Sequence, residues 1–152
     1  MDIERYIKDS GAQYEKHEHP TAYTAQELAA EEHVPGDAVA KAVAVAADDR
    51  CVLAVLPATH KIDLDRLAEA LNARHCVLVN EDRMADLFPD VELGAEPPFG
   101  QPYGLETVVD EPLTRCKTIT FNAGSHNLAI RMRFDDYRKL AQPKVAEFSK
   151  HI

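Results

Sequence analysis

The sequence is short of positive charge and contains no long apolar run. Its 152 residues include 17 Lys and Arg against 26 Asp and Glu, for a formal net charge of −9. Proteins that bind duplex nucleic acid by broad phosphate neutralisation are usually basic, so we exclude that class and expect any RNA contact to be local. No apolar run approaches the roughly 20 residues that cross a bilayer. The start, Met1 to Arg5, lacks the features of a signal peptide. We expect a cytoplasmic protein that binds neither DNA nor membranes.

Several motifs of metal and catalytic sites are also missing. The sequence has no Cys-x-x-Cys pair, no His-Glu-x-x-His pattern and no Walker or Rossmann glycine loop. His17 and His19 place two imidazoles on one face of a predicted strand, but zinc needs three or four ligands, so we expect no metal and no cofactor. Cys51, Cys76 and Cys116 lie in or beside apolar runs. We interpret them as reduced, partly buried thiols.

The composition, with 45% hydrophobic and 28% charged residues, is that of an ordinary soluble protein. The length favours one domain over residues 1–152. Hydrophobic periodicity and turn residues predict alternating strands and helices. The predicted helices cover residues 2–10, 24–33, 63–73, 80–88 and 135–140. The predicted strands cover residues 13–17, 39–47, 51–56, 76–79 (as a buried strand), 105–109, 116–122 and 128–134. The tail after Pro143 is predicted to be helical or loose. We expect a mixed α/β (α+β) fold in which helices flank a mixed or mostly antiparallel, partly closed sheet.

Lys41 is an unusual residue for its position in the chain. It alternates with Val39, Val43 and Val45 on one face of a predicted strand. A buried ammonium is costly unless it is paired or used. Two interpretations remain open: a strand-edge lysine that reaches solvent, and a cation at the mouth of a cavity that awaits a phosphate or carboxylate.

Two irregular segments are further candidate sites. Residues 92–104 are too rich in glycine and proline for regular structure, and the run Gly94 to Gly100 is either a plain connection or a ligand-binding loop. A glycine there would let the backbone present N–H groups to a carbonyl oxygen. The turn Asn122-Ala123-Gly124-Ser125-His126 is either a solvated hairpin turn or a ligand-positioning element. Ser125 and His126 are adjacent, so they do not indicate a nucleophile–base pair.

In their order along the chain, these features resemble the YbaK/prolyl-tRNA synthetase-associated editing-domain family. The matching parts span nearly the whole sequence. They are His19-Pro20 with Tyr23-Thr24, Lys41 in a small-apolar strand, Leu56-Pro57, the helix from Asp63, the Gly94-x-x-x-Pro98-Phe99-Gly100 loop and the turn Asn122 to His126.

The resemblance implies a barrel-like mixed sheet and hydrolysis of mischarged aminoacyl-tRNA, often tRNA for proline carrying alanine or cysteine. It implies catalytic roles for Lys41, Gly94 and His126. It also implies substrate contacts by His19, Tyr23, Thr24, Pro98, Phe99, Gly100, Asn122, Gly124 and Ser125. It further implies that no metal is needed. The implied partners are the aminoacyl-tRNA acceptor end and a prolyl-tRNA synthetase, and the chain is expected to act as a freestanding protein. Ala42 stands where some members have a polar residue that helps to select the tRNA.

Two other functions remain open at this point. The same fold could be a non-catalytic module that binds an aminoacyl-tRNA end or a synthetase. It could also hydrolyse another small ester.

Overall fold

A computed structural model describes residues 2–152, which form five α-helices and ten β-strands. The helices are α1 (Ile3–Asp9), α2 (Ala25–Glu31), α3 (Leu64–Ala70), α4 (Glu81–Leu87) and α5 (Phe134–Ala141). The strands are β1 (Tyr14–Glu18), β2 (Ala40–Ala47), β3 (Arg50–Pro57), β4 (His60–Ile62), β5 (Cys76–Leu78), β6 (Glu106–Asp110), β7 (Thr118–Asn122), β8 (Leu128–Arg133), β9 (Lys144–Ala146) and β10 (Ser149–His151). Short 3₁₀ helices occupy Gly36–Ala38, Gln101–Tyr103 and Glu111–Arg115.

The helices begin where the sequence supplies N-cap side chains. Thr24 accepts a hydrogen bond from the N–H of Glu27 at 3.0 Å, and Asn80 accepts one from the N–H of Arg83 at 2.9 Å. Such caps satisfy backbone N–H groups that have no partner within the helix. The helices therefore begin close to their predicted positions.

The strands pair in three sheets. The largest has the order β5-β2-β3-β6-β9, and its β3–β6 and β6–β9 pairs are parallel while the other pairs are antiparallel. A second sheet, β1-β8-β7, is antiparallel, and β10 pairs with β4. A parallel bridge from Val39 to Thr120 joins the start of β2 to β7. The predicted mixed α/β fold is confirmed. In residues 2–152 the strand pairing does not continue into a closed barrel.

Two predictions about individual segments are wrong. The tail after Pro143 forms β9 and β10 instead of a helix or a loose end, because both strands find partners far away in the sequence. The strand at 76–79 is not buried as a whole, since Val77 is 58% and Leu78 57% exposed on the edge strand β5.

The core divides into three clusters. The largest lies between the β1-β8-β7 sheet and the large sheet, and Phe99, Phe121 and Tyr137 are buried in it. A second packs α3 and Phe148 on the opposite face of β2 and β3. The third is small and packs α2 and the segment before it against residues next to β2 and β3 and against β8. Its buried members are Ala22, Leu28, Ala29, Val39, Ala58 and Ala129. None of the helices found in residues 2–152 is both long and apolar enough to cross a membrane.

Candidate functional site

The loop after α4 and the turn between β7 and β8 are held together by backbone and side-chain hydrogen bonds. The N–H of Glu92 donates to the carbonyl of Gly124 at 2.9 Å, and the N–H of Gly124 donates to the carbonyl of Ala95 at 3.1 Å. The carboxylate of Glu92 accepts from the N–H of His126 at 3.0 Å. Nε2 of His126 lies 2.7 Å from the carbonyl oxygen of Leu93. The two predicted segments therefore form one unit.

Gly94 packs directly against the imidazole of His126. Its φ is +89°, a conformation that side chains disfavour, and a Cβ there would lie 3.3 Å from Cε1 of His126. Its N–H donates to Oε1 of Glu96 at 3.1 Å. Glu96 is only 5% exposed, and burial raises the pKa of its carboxyl group. Glycine is required here by both the backbone and the neighbouring ring.

The N–H groups of the glycines in these segments are already used. The N–H of Gly94 is bound by Glu96, that of Gly100 donates to Thr107 Oγ1 at 2.8 Å, and that of Gly124 is bound by Ala95. The interpretation that a glycine N–H of this loop binds a carbonyl oxygen of a ligand therefore requires one of these bonds to break.

The imidazole of His126 is buried and is bracketed by main-chain carbonyls. Nδ1 lies 3.2 Å from the carbonyl oxygen of Ala22, on the side opposite to Leu93. A neutral imidazole carries one N–H and can donate to only one of these carbonyls. The exposed ring of Tyr23 lies 5.2 Å from the imidazole, centroid to centroid. His126 is thus fixed in orientation beside a segment that leads into α2.

Lys41 lies in β2, where alternation gives it the predicted valine-rich face. Its Nζ donates to the carbonyl oxygen of Ala58 at 3.4 Å. Burial lowers the pKa of its ammonium group, and residues 2–152 contain no carboxylate within ion-pair distance of it. Lys41 opens onto a pocket of about 250 Å³ that also has Lys61 on its wall. The apolar lining residues are Val43, Leu56, Ile62, Leu64 and Leu78.

The structure connects Lys41 to His126 only through an intermediate segment. The carbonyl of Ala58 that binds Lys41 also accepts from Nε2 of Gln26 at 3.5 Å, in the first turn of α2. The residues just before α2 contact His126 through Ala22. Lys41, α2 and His126 therefore border one region, although Lys41 touches neither predicted loop directly.

The other predicted site residues differ in their accessibility. Phe99 is fully buried and packs edge-on against Tyr6 and Phe121, while Pro98 accepts a hydrogen bond from the Tyr137 hydroxyl at 2.7 Å. These contacts are those of core residues. A Cβ at Gly100 would lie 2.6 Å from the carbonyl oxygen of Leu105.

Four predicted residues on or near the turn carry polar groups. Ser125 and His19 line one pocket of about 560 Å³, and the hydroxyl of Ser125 donates to Asn127 at 2.7 Å. Thr24 uses its hydroxyl to cap α2. Oδ1 of Asn122 is buried and, in the described part of the chain, has no hydrogen-bond partner. A buried amide oxygen without a partner is a candidate acceptor for a ligand.

The two N-terminal histidines bind different groups. Nδ1 of His17 lies 2.5 Å from the carboxylate of Glu32, which is also 3.8 Å from Arg131. Nδ1 of His19 lies 2.7 Å from the carbonyl oxygen of Pro20. His17 therefore contacts the carboxylate of Glu32, whereas His19 contacts the main chain.

Sequence reasoning missed Glu92, Glu96, Gln26 and Lys61. Glu96 lies inside the Gly94–Pro98 motif, so its position signalled a role, but its burial did not follow from the pattern. The other three are charged or polar residues of ordinary surface type, and only the fold brings them to the site.

Comparisons with known proteins show the family to which the chain belongs. The sequence pattern of the family described as aminoacyl-tRNA editing domain matches residues 19–140. The multifunctional Ser/Thr-tRNA deacylase ProXp-y of Escherichia coli (strain K12) is 33% identical over 100 residues, which are 65% of this chain and 59% of that protein. The same-named protein of Escherichia coli O157:H7 matches to the same extent. The chain thus spans less than two thirds of these relatives' length.

Solved structures show the same fold. A crystal structure of a hypothetical protein superposes with a TM-score of 0.90 at 20% identity, covering 99% of this chain and 100% of the other. A crystal structure of a protein proposed to be a trans-editing enzyme for prolyl-tRNA synthetase superposes with a TM-score of 0.87 at 16% identity, covering 98% of this chain and 95% of the other. The resemblance seen in the sequence is confirmed: this chain belongs to the aminoacyl-tRNA editing domain family.

Proposed function

We propose that this chain hydrolyses the ester bond of mischarged aminoacyl-tRNA in trans, in the cytoplasm. The observation that carries the proposal is the family match over residues 19–140, which contains Lys41, the Gly94–Gly100 loop and the turn that ends at His126. The relative at 33% identity is named as a tRNA deacylase. The packed contact between Gly94 and His126 supports the assignment of both segments to one site.

Lys41 is assigned to the phosphate or ribose end of the substrate. A half-buried ammonium that pairs with no carboxylate among residues 2–152 is ready to receive an anion, and Lys61 adds a second positive charge to the same pocket. Binding of a phosphate would offset the cost of keeping Lys41 charged away from water. Lys41 therefore acts as a clamp and not as a general base.

His126 is assigned to positioning of the aminoacyl group. Its ring is fixed by the carbonyls of Leu93 and Ala22, and this leaves little freedom for proton transfer to substrate. Because the N–H groups of Gly94, Gly100 and Gly124 are engaged, we do not assign the developing oxyanion to them.

The reaction depends mainly on positioning. Water adds to the ester carbonyl, the bond to the ribose oxygen breaks, and that oxygen takes up a proton to leave a free amino acid and a deacylated tRNA. The family resemblance implies that the substrate's own ribose hydroxyl assists the water. Correct placement alone can supply a large part of such a rate enhancement.

The proposed substrate is tRNA for proline that carries alanine or cysteine. A synthetase pocket discriminates poorly against a smaller amino acid, since a missing methylene is worth only about 1–3 kcal/mol, and a second hydrolytic pocket supplies the rest. Seryl- and threonyl-tRNA are the second candidates, because the relative at 33% identity is named for these substrates. A prolyl-tRNA synthetase that presents the tRNA is the proposed partner.

A deacylation panel tests the proposal. Alanyl-, cysteinyl-, seryl-, threonyl- and prolyl-tRNA are incubated with the wild type, with Lys41→Ala and with Lys139→Ala, an exposed lysine on α5 that serves as the matched control. We expect turnover of at least one mischarged tRNA, its loss in Lys41→Ala and its retention in Lys139→Ala. Near-normal turnover in Lys41→Ala would overturn the role of Lys41. Binding of aminoacyl-tRNA without turnover by the wild type would favour the non-catalytic module.

A further inference from the structure

A cluster of three metal-ligating side chains lies outside the site described above. Asp37 comes from the 3₁₀ helix Gly36–Ala38, His60 from β4 and His151 from β10. Each offers one ligand atom, and these three atoms lie within 4.8 Å of one another. The two histidines face each other across the antiparallel β4–β10 pair, with ring centroids 5.2 Å apart. Residues distant in the sequence thus converge at one point.

The hydrogen bonds around His60 leave its Nε2 free to bind a metal. Nδ1 lies 2.9 Å from the hydroxyl of Ser149, and that hydroxyl in turn donates to the fully buried carboxylate of Asp110. Because the hydroxyl proton is given to Asp110, the hydroxyl must accept from His60, so Nδ1 carries the proton. The lone pair of Nε2 is then available, and a buried carboxylate behind the histidine is the arrangement that orients metal-bound imidazoles.

The other two ligands are fixed in the same way. Nδ1 of His151 lies 2.9 Å from the main-chain oxygen of Ile152, which can only accept, so Nδ1 is protonated and Nε2 is free. Oδ1 of Asp37 accepts from the hydroxyl of Thr59, which leaves Oδ2 for a metal. Each of the three side chains is therefore held by one atom and keeps another atom for coordination.

The ligand set points to a particular class of cation. Two imidazoles and one carboxylate suit zinc and its neighbours in the first transition row, whereas calcium and magnesium prefer oxygen alone. Zinc bonds of roughly 2.0–2.1 Å put tetrahedral ligand atoms about 3.4 Å apart. Asp37 and His151 are exposed and His60 is partly exposed, so the side chains can move until their ligand atoms, now within 4.8 Å of one another, reach the spacing of a tetrahedral site. Water can take the fourth position.

We propose that Asp37, His60 and His151 form a zinc site that ties β10 to β4 and to the segment leading into β2. None of the three ligands lines the pocket of Lys41, and none contacts the ring of His126, so we assign the zinc a structural role. Zinc stabilises the folded chain because the three ligands come together only when β10 is paired.

Isothermal titration of the full chain with zinc chloride tests the site, using metal-free protein without a polyhistidine tag. We expect one equivalent of zinc to bind and the melting temperature to rise. His151→Gln and Asp37→Asn are expected to weaken binding at least tenfold. His75→Gln, which changes an exposed histidine elsewhere, is the matched control and should bind as the wild type does. Equal melting temperatures of the metal-free variants show that the substitutions leave the fold intact.

Cobalt substitution gives an independent signal. Co²⁺ bound by two imidazoles and a carboxylate should give visible absorption bands that disappear in His151→Gln. Failure of the wild type to bind zinc, or equal binding by the wild type and His151→Gln, would overturn the proposal. Both outcomes are independent of deacylation, because binding is measured without any aminoacyl-tRNA.

Discussion

Lys41 is a charged residue in a place where charge costs stability. It faces Val43 and Leu56, burial lowers the pKa of its ammonium group, and the described residues give it no carboxylate. Residues that are kept at the expense of stability are characteristic of functional sites, where activity and stability compete. The sequence alone left a solvent-reaching lysine and a ligand-binding lysine equally open. The proposed ligand-binding role of Lys41 rests on its partial burial and on its place in the wall of a pocket.

Lys41→Met is expected to be inactive but as stable as the wild type, or more stable by up to about 1 kcal/mol near pH 7. Methionine keeps the apolar stem and removes the charge. Because the folded-state pKa is lowered, the unfolded chain binds more protons, so wild-type stability rises as pH passes from this pKa towards 10.5. The advantage of Lys41→Met should therefore shrink near pH 10. Urea unfolding at the two pH values measures this, and a large destabilisation at pH 7 would indicate a structural lysine.

Glu96 is expected to change the stability with pH in the direction opposite to Lys41. Burial raises its pKa, so the folded chain holds this proton more tightly than the unfolded chain. Wild-type stability should fall as pH rises from about 4.3, the ordinary glutamate value, through the raised pKa. Glu96→Gln keeps an oxygen for the N–H of Gly94 but carries no charge. We expect it to be more stable than the wild type at about pH 7 and equal to it at about pH 4.

Urea unfolding of both proteins at these two pH values tests the role of Glu96. Glu106→Gln, at an exposed position of β6, is the control and should follow the wild type throughout. If the free energy of unfolding changes equally with pH in Glu96→Gln and in the wild type, the carboxyl group at position 96 is not desolvated.

At the scale of elements, the loop before Gly100 depends on the close approach of Gly94 to the imidazole of His126. Gly94 and Gly104 both have positive φ, +89° and +74°, but only Gly94 has a side chain, that of His126, within reach of an added Cβ. Gly94→Ala and Gly104→Ala should both lose about 1–2 kcal/mol from the strained backbone. Only Gly94→Ala should also displace His126 and reduce kcat. Unfolding experiments on the two variants measure the cost of backbone strain, and deacylation assays measure the effect of displacing His126. Equal activity in both variants would contradict the positioning role of His126.

Elements with local signals were predictable from the sequence, and elements without them were not. The Asp48-Asp49-Arg50 break between two apolar runs predicted the β2–β3 hairpin, although Arg50 itself begins β3, and Thr24 and Asn80 predicted helix starts. Strands β4, β9 and β10 have three residues each, too few to show alternation, and unlike the equally short β5 they are not continuous apolar runs. They exist because distant partners pair with them. Their prediction requires knowledge of the tertiary fold.

The sequence predicted which segments form the candidate site better than it predicted the contacts between them. The order of motifs correctly predicted that the Gly94 loop and the His126 turn would meet. It also grouped Lys41 directly with them, whereas the structure inserts the start of α2 and the carbonyl of Ala58 between them. The buried positions of Phe99 and Glu96 depend on packing across the sheets, and no local pattern encodes that packing.

The charge of the whole molecule limits how it can contact tRNA. A net charge of −9 repels a polyanion, so productive contact must rest on a few local cations such as Lys41 and Lys61. For single-stranded ends, each neutralised phosphate contributes about −0.7 to the slope of log affinity against log salt. Two contacts predict a shallow slope of roughly −1.4 for kcat/KM between about 50 and 200 mM KCl.

Lys61→Ala should reduce that slope to roughly −0.7, because one phosphate contact is lost while Lys41 remains. Lys139→Ala should leave the slope unchanged, since its lysine lies on α5, away from the pocket. Steady-state deacylation at several salt concentrations measures all three proteins. A slope several times steeper in the wild type would show that the RNA contacts extend well beyond this pocket. Such a footprint would require the acidic surface to be screened by a partner, and a synthetase that presents the tRNA would meet that requirement.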